Sequence, residues 1–556
     1  TPLHPGSRLI FMLKFIRISS FLICLLSGPL AFLWILSRGI SMFYWFALAV
    51  PFLWIVLMTL WFLCLGRPRF LIRLKWSGIV VGVLAIAIFA ATKLLKYDGS
   101  TSGTSLPKLV WAWSDTDVEI SHAHGKAEII SKNISREELN ESAGESLRFL
   151  GPDSDGVWEG AEFSSDWANN PPVEIWRRPM GYGWSSFSVT GGKAITLEEI
   201  GETEQISCFD LFTGERLWEF TYPGLASLDE SDTAEGGEGE EGGGEKPGGR
   251  MDGKGPRSTP TIHEGKVYAY GSVGILICCD LETGKLIWKK NVIKELKGKV
   301  PKWGKSCAPL VMPEHNAVIV SAGDGKGTTL ASFQLDSGDP LWSTEGSGSS
   351  YSSPVAMTIH DTEQIVSINS KEVVGVQPDD GRVIWKHEWP GNYPKVAQPV
   401  RVGADRLLLT ASYGVPSLLI EINRDGDQWT TKELWTTNRM KTKFSSTVVL
   451  GDHAYGLDEG RLASINLETG EKAWKIRGYG FGQLILVGDH LLIQAEQGDL
   501  VFGKVEPDGF EETATLEALD SMTWNVPTLA GRLLLLRNDR EAVCYLLPEK
   551  DHDPST

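Results

Sequence analysis

The sequence predicts an all-β fold, an eight-bladed β-propeller of four-stranded antiparallel blades, preceded by an N-terminal region of three transmembrane helices. Three observations carry this reading. A hairpin motif ending in Trp recurs along the chain, short strand-like runs come in fours around it, and the composition breaks sharply near residue 96.

The break comes first in the chain. Residues 1–96 hold ten Lys or Arg and no Asp or Glu, so the formal charge of -17 divides into +10 there and -27 in the remainder. An acidic remainder excludes nucleic acid as a partner, because phosphate binding needs a basic surface. Ile18 to Ser37 and Gly39 to Gly66 are free of charge, and each is long enough to cross a bilayer, which takes about 20 apolar residues. Trp76 to Thr92 is shorter, and Trp76 with a snorkelling Lys93 extends it to both interfaces. Spans are expected at about 18–37, 42–65 and 76–95 within an anchor covering 1–96. Arg8, Lys14 and Arg17 precede the first span and Arg67, Arg69, Arg73 and Lys75 follow the second, with only Arg38 between. The positive-inside rule then puts the N-terminus in the cytoplasm, the anchor in the inner (cytoplasmic) membrane, and everything after Lys96 in the periplasm or an equivalent compartment.

A linker over 97–150 follows, with a short helix expected in 131–150, where Ser135 and Glu138 are spaced as a capping box. The propeller is expected over 151–550, ahead of a tail at 551–556. Its hairpin reads "DLFTGERLW" ending at Trp218, "DLETGKLIW" at Trp288, "QLDSGDPLW" at Trp342, "QPDDGRVIW" at Trp385 and "NLETGEKAW" at Trp474. Weaker copies end at Trp435 and near Leu516. In each copy an alternating apolar run meets a Gly-containing turn, and a second run ends in Trp. Inner strands are expected near Ser185, Ser258, Ser306, Ser352, Ala397, Ser445, Gln483 and Asn525. The last blade lacks a turn-Trp hairpin, whereas "PPVEIWRRP" at 171–179 carries a spare Trp176 ahead of the first. Joining them closes the ring without an open edge.

Between the first two blades, residues 227–255 are acidic and Gly-rich, a composition too poor in apolar surface to fold and read as a disordered surface loop. Of seven cysteines, Cys24 and Cys64 fall in spans, and the other five (Cys208, Cys278, Cys279, Cys307, Cys544) do not form a disulfide framework. The adjacent Cys278 and Cys279 fall in two repeat columns, one of small residues and one of apolar residues, which reads as buried packing. His122 and His124 form a His-x-His pair in the linker, read as exposed polar residues ahead of a metal site.

The Asp-Leu-Glu-Thr-Gly-x-x-x-Trp hairpin resembles the pyrroloquinoline-quinone (PQQ) repeat of the WD40/YVTN/PQQ-like superfamily. That repeat is shared by quinoprotein alcohol dehydrogenases and by the BamB propeller of the outer-membrane barrel assembly machinery. "GPDSDGVW", "RSTPTIHEGKVYAYGSVG" and "YGFGQLILVGDHLLIQAEQGDL" also look like the membrane-anchored PQQ-like propellers of planctomycetes. The resemblance covers about 148–548. It implies that Trp176, Trp218, Trp288, Trp342, Trp385 and Trp474 dock blade on blade, and it implies no cofactor by itself.

Two functions stay open. One is a scaffold in the cell envelope that binds proteins, peptides or a ligand. The other is a PQQ-dependent alcohol or sugar dehydrogenase, with calcium, that passes electrons to the quinone pool. Short blades and the lack of a recognisable Glu, Asn and Asp calcium set favour the scaffold. No residue is assigned a catalytic or metal-binding role. The candidate ligand site is the channel rim next to the blade starts: Arg257, Trp303, Lys305, Tyr351, Lys443 and Trp524.

Overall fold

Each Trp-bearing hairpin is the outer half of a four-stranded antiparallel sheet. The computed structural model of the chain describes residues 15, 17–31, 43–100, 102–103, 107–114, 123–131, 134–159, 163–224, 253–323, 327–348, 350–391 and 394–550. Blades 1 to 7 span 188–223, 261–291, 310–346, 355–388, 400–437, 448–477 and 483–517. Blade 8 joins three strands within 528–546 to Val173–Pro179, with Val543 opposite Arg177 and Cys544 opposite Trp176. The ring therefore has the expected eight blades, closed by strands from both ends, and its inner strands begin within four residues of the expected starts.

One register recurs. A small residue on the third strand faces the Trp of the fourth: Cys208 faces Trp218, Cys278 faces Trp288, Ser332 faces Trp342, Gly375 faces Trp385 and Ser464 faces Trp474. Blade 7 inverts the pair, with Phe502 opposite Ala514, so volume is kept while the large residue changes strand. Blade 5 departs from the pattern with Leu419 opposite Trp435. In all eight blades a β-bulge follows this pair, which bends the outer strand at the indole.

The indoles then reach the next blade. Trp176 Nε1 donates to Leu211 O at 2.8 Å, Trp218 to Leu281 O at 2.9 Å, Trp288 to Leu335 O at 2.8 Å and Trp342 to Pro378 O at 2.8 Å. Trp435 reaches Leu467 O at 2.9 Å and Trp474 reaches Glu506 O at 3.2 Å. The turn glycine of the receiving blade lies under the ring. A Cβ on Gly284, at φ +68°, would stand 2.5 Å from Trp218, and one on Gly338 would stand 2.6 Å from Trp288. Trp385 differs: its Nε1 donates within its own blade to Gln364 Oε1, because blade 5 ends in a long hairpin without the Thr-Gly turn. Trp389 Nε1 makes the contact to blade 5 instead, at Pro416 O and 2.9 Å.

Cys278 packs with Val318, Ala331 and Phe333 of blade 3, and Cys279 packs with Ile195, Leu197 and Cys208 of blade 1. Neighbours on one strand point to opposite faces, so both thiols are free and buried, and burial pushes each up to about 12.

A strap over 142–158 runs along the inner strands. Arg532 N donates to Ser142 O, Ser146 and Val189 exchange backbone bonds, Ile262 N donates to Leu147 O, and Leu486 N donates to Gly156 O. Blades 8, 1, 2 and 7 are bound in turn. The helix ahead of it, Arg136–Ser142, is shorter than expected and is capped by Ser135, whose Oγ accepts from Glu138 N. Glu128–Ile129 adds a fifth strand to the outer edge of blade 8.

Residues 1–116 cluster as a separate unit. Helices Phe43–Leu65 and Phe70–Leu94 precede a hairpin, Leu95–Ser100 with Pro107–Trp111. Among the described residues only Phe70–Leu94 is both long and apolar enough to cross a membrane, and it starts six residues before the expected third span; Arg17–Ala31 and Ala49–Leu65 are shorter apolar segments. Part of the expected first span lies outside the described residues. Arg17 donates to Leu65 O and Gly66 O, and Arg73 to Leu63 O and Cys64 O, so two guanidinium groups cap the carbonyl end of one helix.

Blades 1 and 2 are also joined by Glu204, fully buried, whose carboxyl accepts from Ser272 N at 3.1 Å and from the Ser272 hydroxyl. Burial pushes this carboxyl up to about 7 from 4.5.

Two outcomes follow. Gly284→Ala should destabilise the full chain by about 3 kcal/mol through the strained φ and the clash with Trp218, whereas Gly265→Ala, at φ +70° in open space, should cost about 1 kcal/mol. Denaturant midpoints of the two variants decide this, and equal losses would refute the docking role of the turn. For Glu204, the folded chain keeps a proton that the unfolded chain releases, so its contribution is complete below about pH 4.5 and lost as pH rises through about 7. Thermal unfolding across this window should fall less steeply in Glu204→Gln than in the parent; identical slopes would contradict the burial effect.

Candidate functional site

The antiparallel order of each blade puts the start of its inner strand and the loop between its second and third strands at the same end of the ring. Lys305 N donates to Ser272 O and Tyr351 N to Lys395 O, which ties each start to a neighbouring blade. The Ser and Thr residues that recur at these starts are part of this fastening. Ser258 Oγ donates to Cys307 O at 2.8 Å, Thr261 Oγ1 to Pro309 O at 2.6 Å and Ser306 Oγ to Tyr351 O at 2.7 Å. Ala308 N donates to Ser353 Oγ at 2.9 Å, and Gln398 N to Ser446 Oγ at 3.1 Å. Gln483 Nε2 bridges Phe444 O and Trp524 O, both at 2.9 Å, and Asn525 Nδ2 donates to Ser185 O at 2.9 Å. These polar groups are occupied in holding blades together.

The six residues expected at the rim divide into two groups. The first spans blades 2 to 4. Arg257 donates to Trp303 O at 3.2 Å and to Gly253 O at 3.1 Å, and Trp303 meets Tyr351 edge-on with centroids 5.6 Å apart. Lys302 Nζ lies 4.9 Å from the Trp303 ring. Lys305 is buried and donates to Gly323 O, so it fastens the rim from beneath.

The second group spans blades 5 to 8 and reaches blade 1. Lys443 Nζ lies 4.8 Å from Tyr413, 5.3 Å from Phe444 and 5.1 Å from Phe481. Trp524 stands 4.6 Å from Phe444 and 4.8 Å from Trp184, and its Nε1 donates to Glu496 Oε1 at 3.1 Å. Cation-π contacts and a carboxylate acceptor fix the orientation of these rings.

Sequence reasoning missed Trp184, Tyr413, Phe444, Phe481 and Lys395. A signal existed for two of them. Trp184 stands one residue before Ser185, as Arg257 stands before Ser258, and Lys395 precedes Pro399 by the spacing that separates Lys305 from Pro309. Lys395 is buried beside Trp389, and burial lowers its ammonium to about 8.

Chemically, the rim offers aromatic edges and faces with cations among them, which suits stacking and the binding of carbonyl or carboxylate oxygens. Among the described residues, no group of three or more His, Cys, Asp or Glu side chains is placed to hold a metal ion. Glu496 is engaged by Trp524 and by Phe481 N. Cys278 and Cys279 lie in the sheets and not at the rim. His124 Nε2 is 3.6 Å from Glu219, while His122 lies outside the described residues, as does most of the acidic loop, 225–252.

Comparison with known proteins agrees with the repeat. Residues 202–476 match the family model described as outer membrane protein assembly factor BamB. The protein of that name from Shewanella oneidensis is 23% identical over 247 residues, which is 43% of this chain and 61% of the relative's own length. Among solved structures, the quinohemoprotein alcohol dehydrogenase of Comamonas testosteroni is 12% identical with a TM-score of 0.51, covering 76% of this chain and 84% of that one. A europium-containing methanol dehydrogenase is 11% identical with a TM-score of 0.53, covering 74% and 100%. At these identities the two dehydrogenases share the fold alone. With its repeats, its matched residues and its ring of eight blades, this chain is similar to the PQQ-repeat, BamB-like β-propellers.

Proposed function

We propose that this chain is a membrane-anchored interaction scaffold of the cell envelope, whose propeller lies outside the cytoplasm and binds protein or peptide partners at the blade-start rim. The observation that carries the reading is the rim itself: two aromatic groups with Arg257, Lys302 and Lys443 among them, at one end of a propeller whose sequence outside residues 1–96 is strongly acidic. Aromatic and Arg side chains of this kind dominate binding energy at protein interfaces. The BamB-like sequence supports an envelope assembly role, and the apolar helix Phe70–Leu94 supports attachment to a membrane.

Trp303 and Tyr351 would form one anchor pocket, and Trp524 with Phe444 another. A partner with aromatic or acidic side chains would stack on the rings and pair with the cations.

The test is site-specific photocrosslinking from position 351 in full-length chain in native membranes. Discrete adducts with envelope proteins are expected, and Trp303→Ala should weaken the captured partner by about thirtyfold when its affinity is measured directly. Stoichiometric PQQ binding in the presence of calcium, with dye-linked oxidation of an alcohol or sugar, would replace the scaffold by an oxidoreductase.

A further inference from the structure

The strap along the inner strands holds a second site, made of residues other than the six expected at the rim. Its backbone bonds to the inner strands lie at Ser142, Ser146 and Leu147 on blades 8, 1 and 2, and then at Gly156 on blade 7. Between them, residues 148–155 pass the inner strands of blades 3 to 5. There a small cavity, partly open to solvent, is lined by Arg148 and Ser154 of the strap with Thr261, Ser353, Gln398 and the backbone around Pro309.

Arg148 is the unusual member. It lies partly buried, and no hydrogen bond or ion pair is made by its guanidinium among the described residues. Burial lowers its pKa, with Asp153 the one opposing charge. Its guanidinium nitrogens keep contact with solvent at the edge of the cavity, with N–H donors open to an anion. The surrounding groups add donors. The Ser353 oxygen already accepts from Ala308 N, which leaves its O–H to donate. The Gln398 Oε1 accepts from Ser352 Oγ, so Gln398 has its amide hydrogens to offer. Thr261 has committed its hydroxyl hydrogen to Pro309 O.

We propose that this cavity is a binding site for one compact monoanion, a halide or the carboxylate of a small acid, held by Arg148, Ser353 and Gln398. The anion neutralises the guanidinium and fastens the strap to blades 3 to 5, where the backbone makes no such bond. Because it binds the folded chain, it stabilises the fold in proportion to the logarithm of its concentration above its dissociation constant.

The experiment is thermal unfolding of the full chain at constant ionic strength, with chloride or formate replacing a bulky organic sulfonate. A rise of about 2–5 °C between trace and 100 mM anion is expected in the parent and none in Arg148→Gln. Formate acting like chloride identifies a carboxylate-accepting site, and chloride acting alone identifies a halide site. An equal rise in parent and variant, or no rise in the parent, overturns the proposal. Should Arg148→Gln fail to fold, crystals of the parent grown with bromide decide the matter: an anomalous peak beside Arg148 is expected, and its absence refutes the site.

Discussion

The contact between a Trp indole and the turn of the following blade is what the ring depends on. A four-stranded sheet has two faces to bury and few residues with which to do so, and this contact covers part of both at once. The indole fills the space between sheets, its N–H satisfies a carbonyl at the head of the neighbouring turn, and the turn glycine is needed twice, for its positive φ and for its missing Cβ. The small residue opposite most of these Trp side chains and the bulge beside it belong to the same arrangement, with Leu419 opposite Trp435 the exception. Blade 7 shows the constraint by inversion: the large residue moved to Phe502, and Ala514 became the small one.

This explains what was legible in the sequence. The Trp, the turn glycine and the small column are local and recur in register, so five good copies are enough to place seven hairpins and to leave Trp176 in search of a blade. The two cysteines at 278 and 279 were legible for the same reason, since each obeys a different column. Blade 5 was harder, because its hairpin lengthened and its neighbour's docking passed from Trp385 to Trp389, a residue outside the repeat. The strap and the fifth strand at Glu128–Ile129 left no signal, since each occurs once and pairs with strands of the ring that do not adjoin it in sequence. At the rim, Arg257, Trp303, Tyr351, Lys443 and Trp524 were readable as blade-start neighbours. Their division into two groups was not, because it depends on which blade each reaches across.

The blade-start rim and the strap differ in kind. At the rim, hydroxyls and amides fasten the blades and leave aromatic and cationic side chains as the chemistry on offer. The chain's own strap lies along the inner strands of blades 8, 1, 2 and 7. The rim is thus where side chains of several blades meet, and the strap is how the segment leading into the propeller is held.

Blade 8 carries a consequence for synthesis. Tyr545 bonds to Glu174 across 371 residues, and Cys544 stands opposite Trp176, so the outer strand of the closing blade emerges from the ribosome long before the strands it pairs with. Seven blades can be complete while Val173–Pro179, the strap and the segment before them still lack part of their partners. Closure of so long a loop is entropically costly and comes late. Until then the ring is an open arc with its first and last sheets exposed, and the ribosome must release the strands through Leu546 before that arc becomes a circle.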